Sequence, residues 1–405
     1  MFSFDVLQTD GKARLGRIVT PHGEASTPAF LPVGTAGTVK GVTPDQLRAA
    51  GVQIVLANTY HLMLRPGAET VAKLGGLHQM MGWQGPILTD SGGYQVFSLA
   101  HLREIDDDGV LFRSHLDGSE VKLTPELAVE IQQKLGADII MQLDECPHAE
   151  APKDHVAQAV RRSAAWAARC RETWETAGRK SARGDPQAMF GIQQGGVWGD
   201  LRAESAERIA ALDLPGYAIG GLSVGEDRDA MRAVLDEIDT QLPADRPRYL
   251  MGVGEPRDLL AAVQRGVDMF DCVLPTRNGR NAQAFTAGGR IRLRNACWAE
   301  DRRGLEDGCD CYTCRSFARG TLRHLFMAEE MLGPILVTIH NIRFFARLMA
   351  AIRSAITAGN LSEMAGQWIE RMYAEDAAPD EKWFLNPLFG WHWLLATRGT
   401  PCKCI

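Results

Sequence analysis

Hydrophobic residues along this chain gather in short runs of about four to eight, separated by longer stretches whose apolar positions recur at helical spacing. After a strand-rich opening, "FDVLQTDGKARLGRIVTPHG", come "AFLPVGT", "VQIVLANT", "PILTDSGG", "ADIIMQLDE", "AMFGIQQGG", "GYAIGGLSVG", "RYLMGVGE" and "GVDMFDCVL". Most of the gaps hold amphipathic segments with helix-start signals. Thr43-Pro44-Asp45 and Thr124-Pro125-Glu126 each set a capping hydroxyl before a proline at the first helical position. Eight buried strands alternating with helices predict an α/β fold, an irregular (β/α)8 TIM barrel. A doubly wound sheet alternates in a similar way, and the count favours the barrel.

The polar residues in these runs cluster at their C-terminal ends. Asp90 ends the third and Asp144 the fourth, Gln193 and Gln194 the fifth, and Gly220 and Gly221 the sixth; Met251 and Gly252 lie late in the seventh, and Asp271 late in the eighth. A lone Asp there would most simply cap a helix. In a barrel, however, these ends converge on one mouth, where active sites are built. Asp271 is the most demanding of them, because a carboxylate in the apolar run Val267–Leu274 is costly to bury unless something uses it.

Two insertions break the alternation. "EIDDDGVLFRSHLDGSEVKL", with turn signals at Asp108-Gly109 and Asp117-Gly118, predicts a hairpin after strand three. The larger follows strand eight, so the expected organisation is a barrel with N-terminal strands over 1–275, an inserted Arg-rich, zinc-binding subdomain over 276–340, closing helices over 341–376 and a tail over 377–405. Cys309-x-Cys311-x2-Cys314 followed by His340 supplies three thiolates and an imidazole, the ligand set of a closed structural zinc site holding one ion per chain. On spacing His324 is equally available as the fourth ligand, and an iron–sulfur role lacks a fourth nearby cysteine.

With 405 residues and 45% hydrophobic content, the chain can bury a large core. Its net charge of -6 argues against wholesale nucleic-acid binding, but the segment from Arg277 to Arg323 carries ten arginines and five acids against an otherwise acidic body. That patch reads either as a solvated face or as a footprint for a polyanion. No continuous run of about 18 apolar residues occurs, and acids interrupt the N-terminus before a signal-type apolar stretch can form, so a cytoplasmic protein without a membrane partner is expected. A Schiff-base aldolase or phosphate-binding lyase on the same barrel would want a lysine at a strand end, and none of the eight runs ends in one.

"TDSGGYQVFSL", "MQLDECP", "FGIQQGG", "GGLSVGE", "YLMGVGEP", "FDCVLPTRNGR" and "CDCYTC", in this order and spacing, closely resemble the bacterial tRNA-guanine transglycosylases, also called queuine tRNA-ribosyltransferases. The resemblance runs to about residue 375. It implies a zinc-containing irregular barrel, usually a homodimer, that replaces the wobble guanine of GUN-anticodon tRNAs with a 7-deazaguanine base in queuosine biosynthesis. Asp271 then matches the nucleophile and Asp90 the general acid/base; the presence of both argues against the family's catalytically silent partner subunit. Asp144, Ser91, Gln194 and Gly221 match the residues that meet the base edge, and Tyr94 and Met251 those that sandwich it. Arg277 and Arg280 would hold the tRNA anticodon loop. Val224 where queuine users have Gly, together with Cys146, implies 7-aminomethyl-7-deazaguanine as the incoming base, its ammonium arm reaching the Leu222 carbonyl near Glu226.

Overall fold

The structure, a computed structural model, describes residues 2–99 and 103–374. The eight apolar runs become parallel strands: β1 (Ala29–Pro32), β2 (Val55–Ala57), β3 (Ile87–Thr89), β4 (Ile139–Met141), β5 (Ala188–Gln193), β6 (Gly216–Ile219), β7 (Arg248–Leu250) and β8 (Met269–Cys272). They are hydrogen-bonded in the order β1-β8-β7-β6-β5-β4-β3-β2. A bridge between Val33 and Leu56, with the Gly34 amide donating to the Leu56 carbonyl at 2.6 Å, joins the two ends and closes a (β/α)8 barrel.

Strand parity decides which side chains reach the barrel interior, because successive residues point to opposite faces. Leu31, Leu88, Ile139, Met141, Phe190, Ile192, Ala218, Tyr249 and Met269 form one inner cluster, while Ile87, Ile140, Met189, Ile219, Leu250 and Phe270 pack outward beneath the helices. Two residues beyond an inward Leu88 comes Asp90, beyond Ile192 comes Gln194, and beyond Met269 comes Asp271. The polar ends noted in the sequence are therefore the inward register carried one step past the apolar layer.

The opening residues form an antiparallel sheet, Ser3–Asp10, Ala13–Thr20 and Gly23–Thr27, that plugs the opposite end of the barrel. Ile18 and Ala25 join the inner cluster, and the Phe2 ring meets Phe190 edge-on at 5.7 Å. Asp138, fully buried just before β4, fastens this floor. Its Oδ1 lies 2.7 Å from His22 Nδ1 in the hairpin turn, and its Oδ2 lies 3.1 Å from His78 Nε2 and accepts from the Ile87 amide at 2.9 Å. The two imidazoles stack at 3.6 Å with an 18° tilt. No single ion can lie in the planes of two nearly parallel stacked rings, so this trio reads as a hydrogen-bonded clamp.

Both expected helix caps are present: Thr43 and Gln46 form a reciprocal capping box, and Thr124 Oγ1 accepts from the Leu127 amide at 3.2 Å. The insertion after β3 is a three-stranded sheet where a hairpin was expected, since Arg103–Ile105, too short and charged to register as a strand, pairs with Val110–Arg113, which pairs in turn with Glu120–Leu123. The insertion after β8 begins with the helix α1 (Leu274–Arg280) and packs its own core around Trp298, Leu322, Phe326 and Leu336. Its expected end at residue 340 falls inside a continuous helix, α2 (Leu332–Ala358), which belongs to the insertion and the barrel alike. Although α2 is long and apolar enough to span a bilayer, two-thirds of its most apolar window is buried within the fold. The helix Leu361–Met372 follows, and the tail over 377–405 lies outside the described residues.

Candidate active site

The C-terminal ends of the strands surround a cavity of about 420 Å³. Asp90, Ser91, Tyr94, Asp144, Cys146, Gln194, Gly221, Leu222, Val224, Met251, Asp271 and Arg277 all line it. Two expected residues do not. Arg280 is half-buried, and Glu226 faces a much smaller neighbouring cavity, where its carboxylate accepts from the amides of Ser223 and Val224.

Asp271 projects inward from β8, and its Oδ1 accepts from the Tyr249 hydroxyl at 2.6 Å and the Gly252 amide at 2.8 Å. Burial raises its pKa above the ordinary carboxylate range, with both donors opposing the rise. Asp90 accepts from Asn58 Nδ2 at 2.5 Å, the Thr59 amide at 2.8 Å and Gln95 Nε2 at 3.0 Å. Burial pushes it up to about 6 despite those donors, and the charge of Asp271 adds to the rise. A carboxyl poised there can both give and take a proton near neutral pH.

Asp144 is likewise pushed to about 6, chiefly by burial, while Gln194 Nε2 donates to it at 2.6 Å and the Ser91 hydroxyl at 3.4 Å. Gln194 Oε1 is buried without a partner and points toward Gly221. An acceptor, a donor pair and an orphaned amide oxygen at one wall suit a flat heterocycle with a polar edge. The turn after β3 needs its glycines: Gly92 has φ +81°, and a Cβ on Gly93 would lie 2.7 Å from the Asp144 carbonyl. Tyr94 is half exposed at the rim, and Met251 packs partly against the inner cluster.

Sequence reading passed over the residues that hold the two central carboxylates. Asn58 ends the run "VQIVLANT" as Asp90 ends the next, so strand-end polarity was a usable signal. Tyr249 carried no such mark, because a tyrosine within an apolar run reads as core.

The cysteines of the insertion converge on His340, with Sγ of Cys309, Cys311 and Cys314 at 3.7, 3.6 and 3.2 Å from its Nδ1. Tetrahedral zinc ligands at ordinary bond lengths stand about 3.5 Å apart, so the set fits such an ion. His340 Nε2 sits 2.7 Å from the Phe285 carbonyl, the second contact that fixes a ligating imidazole's tautomer. His324 is exposed on a separate helix and takes no part in the cluster.

In the Arg-rich patch, Arg290 pairs with Glu255, while Arg303 and Arg319 share Asp301. Arg277 and Arg280 have no carboxylate partner among the described residues; both lie on α1, and Arg277 lines the cavity.

Residues 9–374 match the family model described as queuine tRNA-ribosyltransferase. The chain is 54% identical over 373 residues to a protein of that name from Novosphingobium aromaticivorans, covering 92% of this chain and 99% of that one. It is 51% identical over 393 residues to a queuine tRNA-ribosyltransferase of Thermus thermophilus, covering 97% and 99%.

Proposed function

Because this chain belongs to the queuine tRNA-ribosyltransferase family of pentosyltransferases, we propose that it exchanges the wobble guanine of GUN-anticodon tRNAs for 7-aminomethyl-7-deazaguanine through a covalent ribosyl-aspartate. The observation that carries this reading is the pair of carboxylates at the barrel mouth, Asp271 held through one oxygen and Asp90 poised near neutrality.

In this scheme Asp271 Oδ2 bonds the ribose C1′ as the bond from C1′ to the guanine nitrogen breaks. The electron pair leaves with guanine, which takes a proton from Asp90. Asp90, now a carboxylate, removes the corresponding proton from the incoming base, whose nitrogen displaces Asp271 from C1′. One glycosidic bond replaces another, so no energy source is consumed.

Asp144 accepts from the base ring N–H and amino group, which frees the Gln194 amide to meet the carbonyl together with the Gly221 amide. Tyr94 and Met251 cover the ring faces, with Ser91 and Cys146 completing the pocket. The ammonium arm donates to the Leu222 carbonyl, while Glu226 supports that loop through its amides. Arg277 and Arg280 meet the anticodon loop. Zinc on Cys309, Cys311, Cys314 and His340 holds the insertion in shape and takes no chemical part. A cytoplasmic homodimer completes the reading.

Incubation with unmodified tRNA and radiolabelled guanine should place label in the RNA, and denaturing gels should trap an RNA adduct with the wild type but not with Asp271→Asn. Absence of label would overturn the assignment, and an adduct persisting in the variant would remove Asp271 as nucleophile. Metal analysis should find about one zinc per chain, lost in Cys311→Ala.

A further inference from the structure

Arg202 lies on the helix Gly199–Ala210, outside the barrel and behind β5, with only 1% of its surface exposed. No carboxylate pairs with it among the described residues, and one of its terminal nitrogens, Nη2, is buried without a partner. Burial pulls its pKa down to about 10, leaving the guanidinium charged at neutral pH. The charge of Glu226 acts on it favourably without forming an ion pair, yet a buried guanidinium with an unsatisfied nitrogen remains costly, and an apolar side chain of similar length would fill the same space more cheaply.

Its remaining donors show what it does there. Nε donates to the Gly196 carbonyl at 2.8 Å and Nη1 to the Gln193 carbonyl at 3.2 Å. Gln194, which turns into the cavity, lies between those two anchor points. The same helix grips the turn three more times. Gln193 Nε2 donates to the Arg202 carbonyl at 3.0 Å, and the Gln194 amide donates to Ser205 Oγ at 2.9 Å. Gly195, at φ +135°, sits so close that a Cβ would lie 2.8 Å from the Arg202 amide nitrogen. These contacts anchor the turn around Gln194, the nearer of the two side chains that donate to Asp144.

We propose that Arg202 is a positioning residue for base recognition, clamping the Gln193–Gly196 turn so that Gln194 presents its amide to the base and to Asp144. This rests on the reading of Gln194 as a base contact.

The test compares steady-state KM values for guanine and for tRNA, with thermal melts as a check on folding, in Arg202→Met, Arg202→Lys, Ser205→Ala and Gln194→Ala. Arg202→Met should raise the guanine KM roughly tenfold, the order expected for losing charge-assisted hydrogen bonds that orient a contact. The tRNA KM should stay within about twofold, since uniform effects on both substrates mark general damage. Arg202→Lys, which keeps a donor and the charge, should recover most of the loss. A folded Arg202→Met enzyme with normal guanine KM overturns the proposal, and so does an equal rise for both substrates. Where Arg202→Met fails to fold, Ser205→Ala decides, and an unchanged guanine KM there counts against the clamp. Gln194→Ala separates the two layers: normal guanine KM there sinks the base-contact reading itself, whereas a raised value alongside normal Arg202 variants sinks only the positioning role.

Discussion

A single strand, β4, has an aspartate near each end, and the two could hardly be treated more differently. Asp138 at the floor and Asp144 at the mouth are both almost fully buried. Burial alone would raise both. At the floor, hydrogen bonds from His22 and His78, with the Ile87 amide, outweigh it and hold Asp138 at about 2. At the mouth, the Gln194 amide and a distant Ser91 hydroxyl do not, and the neighbouring charge of Asp90 pushes the same way as burial, so Asp144 rises to about 6. The floor carboxylate is satisfied and stabilises the fold. The mouth carboxylate is left wanting partners, which a substrate can supply, and the fold bears the cost.

The sharpest way to probe that contrast is at Asp271. Asp271→Asn should lower exchange by about 10⁴-fold or more, the scale seen when a nucleophile is removed, while the melting temperature stays level or rises. A marked drop in stability would mean that the mouth is held together by its carboxylates, as the floor is.

Next in size is Asp144→Asn, which keeps an acceptor for Gln194. A carboxylate whose folded pKa is raised from 3.8 to about 6 costs stability above the folded value and nothing below the unfolded one. The variant should therefore gain about 2–3 kcal/mol at pH 8 and nothing near pH 3, with a raised KM for guanine. Chemical denaturation at the two pH values checks it.

Asp138→Asn should do the reverse, losing about 2 kcal/mol at pH 6 with an unchanged kcat. The depressed carboxylate contributes stability that is present above 3.8 and fades as pH falls through about 2. The raised His22 contributes stability that is full below 6.5 and lost as pH climbs through its folded value. Wild-type stability from this clamp should thus peak between those limits, and a stability profile that keeps the same shape in the variant would separate the clamp from the pH response.

The smallest effect belongs to Val224→Gly, expected to raise kcat/KM for queuine against the aminomethyl base by about tenfold and to leave the melting temperature within a degree or so of wild type. Competition between the two bases reads it; an unchanged preference would show that Val224 is not the gate.

The mouth was far more legible in sequence than the floor. Short apolar runs locate the strands, and a polar residue one register step beyond an apolar layer is visible in a single chain, which is why Asp90, Gln194 and Asp271 could be placed together. The clamp residues carry no such signal. His22 lies in a turn and His78 on a short helix, and only closure of the barrel brings them to Asp138. Arg202 was hidden for a related reason: on a helix with several charged neighbours, it looks like one more solvated side chain. Spacing alone left His324 and His340 as rivals, and the tertiary path of α2 decided between them. Tyr249 shows the limit from the other side, since its hydroxyl matters and its ring merely resembles the core around it.

Helix α2 also limits how far this protein can be taken apart. It carries the imidazole of the cysteine cluster near its start and, thirteen residues on, Arg353 donating to the Pro28 carbonyl at the edge of β1, within one unbroken rod. The cysteine-bearing insertion is therefore no detachable cassette. It cannot be excised, swapped between relatives or grafted onto another scaffold without cutting a helix that also seals the barrel. Chelation should accordingly lower the melting point of the whole molecule in one transition, where a modular appendage would melt in a step of its own.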